Sequence, residues 1–287
     1  MVLKMKYTEQ ILLYSSIILL RPMEEYLKLL SRVCRGGASR PTPSSGSSEF
    51  SAFGLTFRHD LGTGFPLVTT REIKTDVLFR ELEWMLSGST SARPLQAERI
   101  TIYDDWADPT GELGPLTGHQ WRACGEIPGV PGIDQLQNLI NQIRETPNAR
   151  DLIVSAWNVQ DLPQMSLPPH ALMFQCYVQD GKLSLQMYQR SADIFLGMPC
   201  TIATYALLTH LIALETELKP GNLIIQTGDL HLYENHYESA LLQLDRAPFR
   251  LPTLSIRDFP GIFKWKALDG NTTIEDYNPH PAIKALL

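Results

Sequence analysis

From Met23 onward, apolar residues recur three and four positions apart. Tyr26, Leu27, Leu30 and Val33 fall on one helical face. Glu24 and Glu25 lie in the first turn and Arg32 and Arg35 in the last, an order that suits the helix dipole, and Gly36-Gly37 supplies a stop. The same spacing over 74–88 aligns Val77, Leu78, Leu82, Met85 and Leu86 ahead of Gly88. Glu81 sits beside that stripe, so its carboxylate can reach a buried site. Residues 134–144 predict another helix, and the nearly all-apolar run 200–217 predicts one buried on every side. Weak alternation marks Phe50 to Phe57 as strand, and 152–158, 171–178, 182–188, 222–227 and 250–256 read the same way. Gln179-Asp180-Gly181 is a hairpin turn between two of them. Residues 38–48 (ASRPTPSSGSS) are rich in Pro, Ser and Gly and predict a loop.

Helices and antiparallel strands mix without regular β-α alternation, so the pattern predicts an α+β fold. No internal repeat is visible. The apolar signal is continuous, which predicts a single domain over 23–287. Ahead of it, Ile11 to Leu20 (ILLYSSIILL) is the most apolar run. It is about half of the roughly 20 residues a bilayer span needs. Arg21-Pro22 stands where a signal peptide wants small residues. Residues 1–22 therefore read as an N-terminal extension that need not be ordered, and no membrane association is expected.

Composition narrows the classes further. Hydrophobic residues are 44% and charged residues 20% of 287, enough apolar surface for a real core. A net charge of -6 offers no basic field for nucleic acid. Cys34, Cys124, Cys176 and Cys200 show no C-x-x-C spacing, which fits reduced thiols in a cytoplasmic protein better than a zinc site or a disulfide scaffold.

Three segments combine chemistry-bearing side chains. In Gln186-Met187-Tyr188-Gln189-Arg190-Ser191-Ala192-Asp193 a strand runs into a guanidinium and a hydroxyl, a pairing suited to phosphate. The competing reading is a surface salt bridge to Asp193. In Gly228-Asp229-Leu230-His231-Leu232-Tyr233-Glu234-Asn235-His236, His231 and Tyr233 alternate and can clamp a sugar hydroxyl from one side of a strand. A metal reading of His231, Glu234 and His236 lacks a further spaced ligand, so no metal is expected. Tyr103-Asp104-Asp105-Trp106-Ala107-Asp108 sets aromatics among acids, a platform for a flat heterocycle or the edge of a core.

Together these segments resemble the thymidylate synthase family, a superfamily that also holds pyrimidine-nucleotide hydroxymethylases. GFPLVTT (64–70), ELEWMLSG (81–88), DDWAD (104–108), LGPLTGHQWRA (113–123), LIVSAWNV (152–159), QMYQRSADIFLGMP (186–199), GDLHLYENH (228–236) and YNPHPAIKA (277–285) look like that family's blocks, in its order. The resemblance implies a three-layer fold, a homodimer built on a large mixed sheet, and a cosubstrate, 5,10-methylenetetrahydrofolate. It implies Arg150 reaching into the partner's site, and Arg190 and Ser191 as phosphate ligands. It places Gln189 and Thr201 at the base, and His231 and Tyr233 at the sugar. Glu81 would organise water and assist proton transfer. Asp193 would hold the pterin ring, with Tyr103, Trp106 and Gly197 beside the folate. The C-terminal segment would close as a lid, ending here in Lys284-Ala285-Leu286-Leu287.

Several positions depart from the family's pattern. Its nucleophilic cysteine lies in a Pro-Cys-His element, whereas this chain reads Pro168-Pro169-His170-Ala171. Counting back from Gln175, His170 takes the cysteine's place; a gapped alignment pairs His170 with the following histidine instead. Either way the cysteine is missing. The base-reading asparagine becomes Thr201, a tyrosine of the proton-abstraction network becomes Thr117, the second borrowed arginine becomes Asp151, and one phosphate arginine falls at Ser44, with Arg40 nearby. A thiolate normally activates the pyrimidine covalently. The expected reaction is therefore methyl or hydroxymethyl transfer to a nucleotide or related heterocycle by an altered route, with His170 as general base. Two alternatives stand beside it: standard dTMP synthesis with Cys200 as a relocated thiol, and an inactive ligand-binding or regulatory paralogue.

Overall fold

The computed structural model of the chain describes residues 23–42 and 48–284. The expectations placed on Ile11 to Leu20, on Ser44 and on the last three residues lie outside them. Helices are α1 (Glu24–Gly36), α2 (Thr75–Ser87), α3 (Arg93–Ala97), α4 (Thr117–Ala123), α5 (Gln135–Glu145), α6 (Gly197–Glu215) and α7 (Tyr237–Asp245). Strands are β1 (Ala38–Pro41), β2 (Ser48–Phe53), β3 (Thr56–Asp60), β4 (Ile153–Ser155), β5 (Ala171–Gln179), β6 (Lys182–Asp193), β7 (Lys219–Tyr233), β8 (Thr253–Ile256) and β9 (Thr272–Glu275). The mixture is α+β, as the pattern predicts.

Seven strands form one mixed sheet in the order β1-β2-β7-β6-β5-β4, with β3 also on β7. Only β6 and β7 run parallel; the other pairings are antiparallel. The predicted strand Phe50 to Phe57 is two strands, which bind successive stretches of the same β7 edge, at Asp229–Tyr233 and at Asn222–Gln226. Part of the expected loop 38–48 is also strand. Ala38–Pro41 pairs with Ser48–Ser51 as a fully exposed edge, the one place in a sheet that tolerates a proline without an N–H. The β5–β6 hairpin closes on Asp180 and Gly181, both left-handed (φ 51° and 70°), the geometry that a two-residue loop demands.

One face of the sheet is covered by α6. Its side chains are apolar around the whole circumference, and Leu207, Leu208, Leu211 and Ile212 are fully buried. By length and composition α6 is able to cross a membrane, yet 72% of it is buried within the fold. Helix α2 packs beside it, burying Leu78, Phe79, Leu82, Trp84, Met85 and Leu86. The opposite sheet face stays open. Ile153, Tyr177 and Tyr188 stand 41%, 60% and 39% exposed there.

Candidate active site

Strand β6 alternates inward residues as Leu183, Leu185, Met187, Gln189, Ser191 and Asp193. The first three are aliphatic and sealed against the helical layer. The next three are polar and meet the first turns of α6, where Gly197, Cys200, Thr201 and Thr204 share one face. Those side chains are too small to fill the gap. A cavity of about 410 Å³ results. Glu81, Trp84 and Met85 of α2 form its second wall, and the turn Leu167–Ala171 forms a third. At the sheet end His231 and Tyr233 of β7 close it, side by side with ring centroids 5.2 Å apart.

The cavity therefore gathers Glu81, Tyr103, His170, Gln189, Ser191, Asp193, Gly197, Cys200, Thr201, His231 and Tyr233 from six separate stretches of sequence. Thr117 joins them at the start of α4. Three expected site residues lie off its lining. Trp106 is 44% exposed on the turn after α3. Arg150 is exposed just before β4, with its carbonyl accepting from Gln175 Nε2 at 2.8 Å. Arg190 turns its fork onto backbone, Nε to the Pro169 carbonyl and Nη2 to the Pro168 carbonyl, both at 2.9 Å. Its own N–H donates to the His170 carbonyl at 2.9 Å, so Arg190 clasps the turn that presents His170. No salt bridge to Asp193 forms.

Asp193 performs a different task. Its Oδ1 accepts from the backbone N–H of Phe195 (2.8 Å) and of Leu196 (3.1 Å), which fixes the turn from β6 into α6. Tyr103 donates its hydroxyl to Glu81 Oε1 at 2.7 Å. Burial raises the Glu81 pKa above the ordinary 4.5, and this hydrogen bond pulls it part of the way back. Burial, with the Glu81 charge, pushes Tyr103 well above 10. The pair is a proton-holding unit in an otherwise apolar corner, where the rings of Trp84 and Tyr103 lie 5.0 Å apart.

His170 lies on the cavity lining and stays exposed to solvent at its mouth. Desolvation lowers its pKa below 6.5, the charges of Arg190 and His231 lower it further, and a backbone contact at Ser191 opposes them. The ring is neutral at pH 7 and able to accept a proton. The following strand carries a bulge between Ala171, opposite Gln189, and Met173, opposite Tyr188. A one-residue offset of this kind is what separates the two alignments of the segment. In both, the only thiol on the cavity wall among the described residues is Cys200. Burial pushes that thiol up to about 11, and its Sγ donates to the Leu196 carbonyl at 3.4 Å.

Sequence reading missed Trp84, Leu116, Thr204 and Tyr205 as cavity residues. Trp84 lies three positions after Glu81, so a helical wheel drawn from that carboxylate finds it. Thr204 and Tyr205 sit inside a run that reads as core throughout. Among the described residues, no group of three or more His, Cys, Asp or Glu side chains is placed to hold a metal ion.

A half-open cleft that mixes polar side chains with aromatic and apolar ones, set where a mixed sheet meets its covering helix, is the kind of concavity in which small-molecule sites are found. The chain belongs to the thymidylate synthase family, whose pattern it matches over residues 24–287. Membership places it among transferases of nucleotide metabolism that take a one-carbon unit from methylenetetrahydrofolate, typically as homodimers.

Proposed function

We propose that this chain transfers a methyl or hydroxymethyl group from methylenetetrahydrofolate to a nucleoside-like heterocycle without covalent activation by a thiolate, with His170 as the general base. One observation carries the reading. The cavity is open and keeps Glu81, Asp193, His231 and Tyr233 on its walls, while the turn beside them presents a neutral imidazole. A fold kept only for its shape has no use for that set. The thiol of Cys200 is protonated at neutral pH and serves as a donor to its own helix, which supports a packing role.

The residues fit a folate. Trp84, Tyr103 and Leu116 supply an apolar wall for a flat ring, and the second carboxylate oxygen of Asp193, 3.9 Å from His236 Nδ1, has acceptor capacity for a ring N–H once its first has capped the α6 turn. Methylenetetrahydrofolate, when bound, supplies the electrophilic one-carbon unit. His231 and Tyr233 hold the sugar. His170 removes the proton from the reacting position, at a wall that Arg190 clamps in place. Glu81, held by Tyr103, takes and returns a proton on the opposite side. A heterocycle whose own substituents make it nucleophilic needs no thiolate, and the replacement of the base-reading residue by Thr201 accords with a changed ring.

A homodimer through the open sheet face accords with the exposed Ile153, Tyr177 and Tyr188, and sets Arg150 at the edge of that face. Four cysteines without a disulfide accord with the cytoplasm.

The test is incubation with methylenetetrahydrofolate and a panel of nucleosides and nucleotides. Release of dihydrofolate reports methyl transfer and release of tetrahydrofolate reports hydroxymethyl transfer. Ligand-dependent thermal shifts with no folate turnover would assign the cavity to binding alone.

A further inference from the structure

We infer that the cavity takes a ligand without a phosphate, an uncharged nucleoside rather than a nucleotide. The inference rests on the nucleoside reading above and narrows its substrate class. Its ground is the fate of the arginines around the cavity. Arg40 places Nε 2.7 Å from Glu49 Oε1 and Nη2 on Asp229 Oδ2, and Glu49 is only 3% exposed. Arg190 is spent on the carbonyls of Pro168 and Pro169. Arg71, buried off the cavity lining, donates to the Phe195 carbonyl and lies 4.8 Å over the Phe195 ring. Among the described residues the lining holds two carboxylates and neither lysine nor arginine.

The sheet register adds an anion beside the hydroxyl that a phosphate would meet. Ser191 stands opposite Asp229 in the β6–β7 ladder, two residues before the pair of Asp193 with His231. Asp229 also accepts from Ser51 Oγ at 2.7 Å. Asp229 lies off the cavity lining, and its carboxylate is the anion across the strand pair from a dianion held at Ser191. Such a dianion can recruit Arg40 only by stripping it from Glu49 and Asp229, which leaves a buried carboxylate without its partner. In a homodimer the reaching arginine, Arg150, is followed by Asp151, so that segment brings no net positive charge. A 5′-hydroxyl meets the opposite situation. Asp229 has acceptor capacity beyond Arg40 and Ser51, and a hydroxyl donates to it without any change in charge.

The experiment is calorimetric titration of the full-length protein with a series of pyrimidine and purine nucleosides, ring-substituted ones included, and with their 5′-monophosphates, without folate. At least one nucleoside is expected to bind tenfold or more tightly than its monophosphate. In Asp229→Asn, which removes the anion across the strand pair and releases one arm of Arg40, that ratio is expected to fall about tenfold. A wild-type preference for the monophosphate would overturn this inference and leave the transfer reading standing, as would an unchanged ratio in Asp229→Asn. Binding of neither series, with no thermal shift, would remove the nucleoside reading and this inference with it.

Discussion

The two halves of α6 lie against the same parallel pair, β6 and β7, with different outcomes. In its second half Leu207, Leu208, Leu211 and Ile212 interlock with Leu183, Leu185, Leu223 and Ile225, and all eight are fully buried. In its first half Gly197, Cys200, Thr201 and Thr204 face Gln189, Ser191 and Asp193 across open space. The helix and the β6–β7 ladder run on from one half to the other. Side-chain volume and polarity thus open the site, with the sealed half supplying the rigidity that fixes the open one.

Predictions follow from setting these halves against each other. The largest effect belongs to the open end. His170→Ala is expected to cost 10²–10⁴ in kcat, the usual worth of a positioned general base, and to flatten the acidic limb of the pH–rate profile. Unaltered turnover would remove His170 from the chemistry. At the sealed end, Leu208→Ala is expected to cost about 2–5 kcal/mol in denaturant unfolding while leaving nucleoside affinity within twofold. Coupled loss of both would show that the halves are not separable.

His210 lies in the sealed half, against Phe65. Burial lowers its pKa from 6.5 to about 4. The folded state thus resists a proton that the unfolded chain accepts, so stability is full above pH 6.5 and declines as pH falls toward 4. The decline attributable to this ring is about 3 kcal/mol. His210→Leu should abolish that part of the slope in chemical unfolding measured across the window; a slope that persists would assign it elsewhere.

Smaller effects return to the open end. Tyr103→Phe removes the hydrogen bond that holds the Glu81 pKa down, so the part of the pH–rate profile that follows Glu81, distinct from the limb set by His170, should move to higher pH. The rate at pH 7 should fall about tenfold, the worth of one hydrogen bond to a buried carboxylate. A scaled-down profile of unchanged shape would reduce Tyr103 to packing. Cys200→Ala should alter kcat by less than threefold, since a protonated thiol bonded to its own helix has no nucleophilic task.

Legibility from sequence followed the same division. Elements with a clean period, α1, α2, α5 and the β5–β6 hairpin, stand within a few residues of where periodicity places them. Strand β7 runs to Tyr233 although its pattern fades after Thr227. Gly228 interrupts the alternation because the Arg190 carbonyl passes so close that a Cβ would lie 2.6 Å from it. Strand β1 was hidden because an exposed edge has no apolar face to announce it. Eleven of the residues named in advance do line one cavity, and the family's motif blocks made that possible. The attachments of Arg190 and Arg40 were not legible, since backbone carbonyls and cross-strand carboxylates leave no mark in local sequence.

Side-by-side turnover of wild-type and Cys200→Ala protein with methylenetetrahydrofolate and the nucleoside panel probes the central claim most directly. The account predicts folate turnover with at least one nucleoside, at comparable rates in the two proteins. Turnover in the wild type that vanishes with Cys200, or none in either protein, would contradict it.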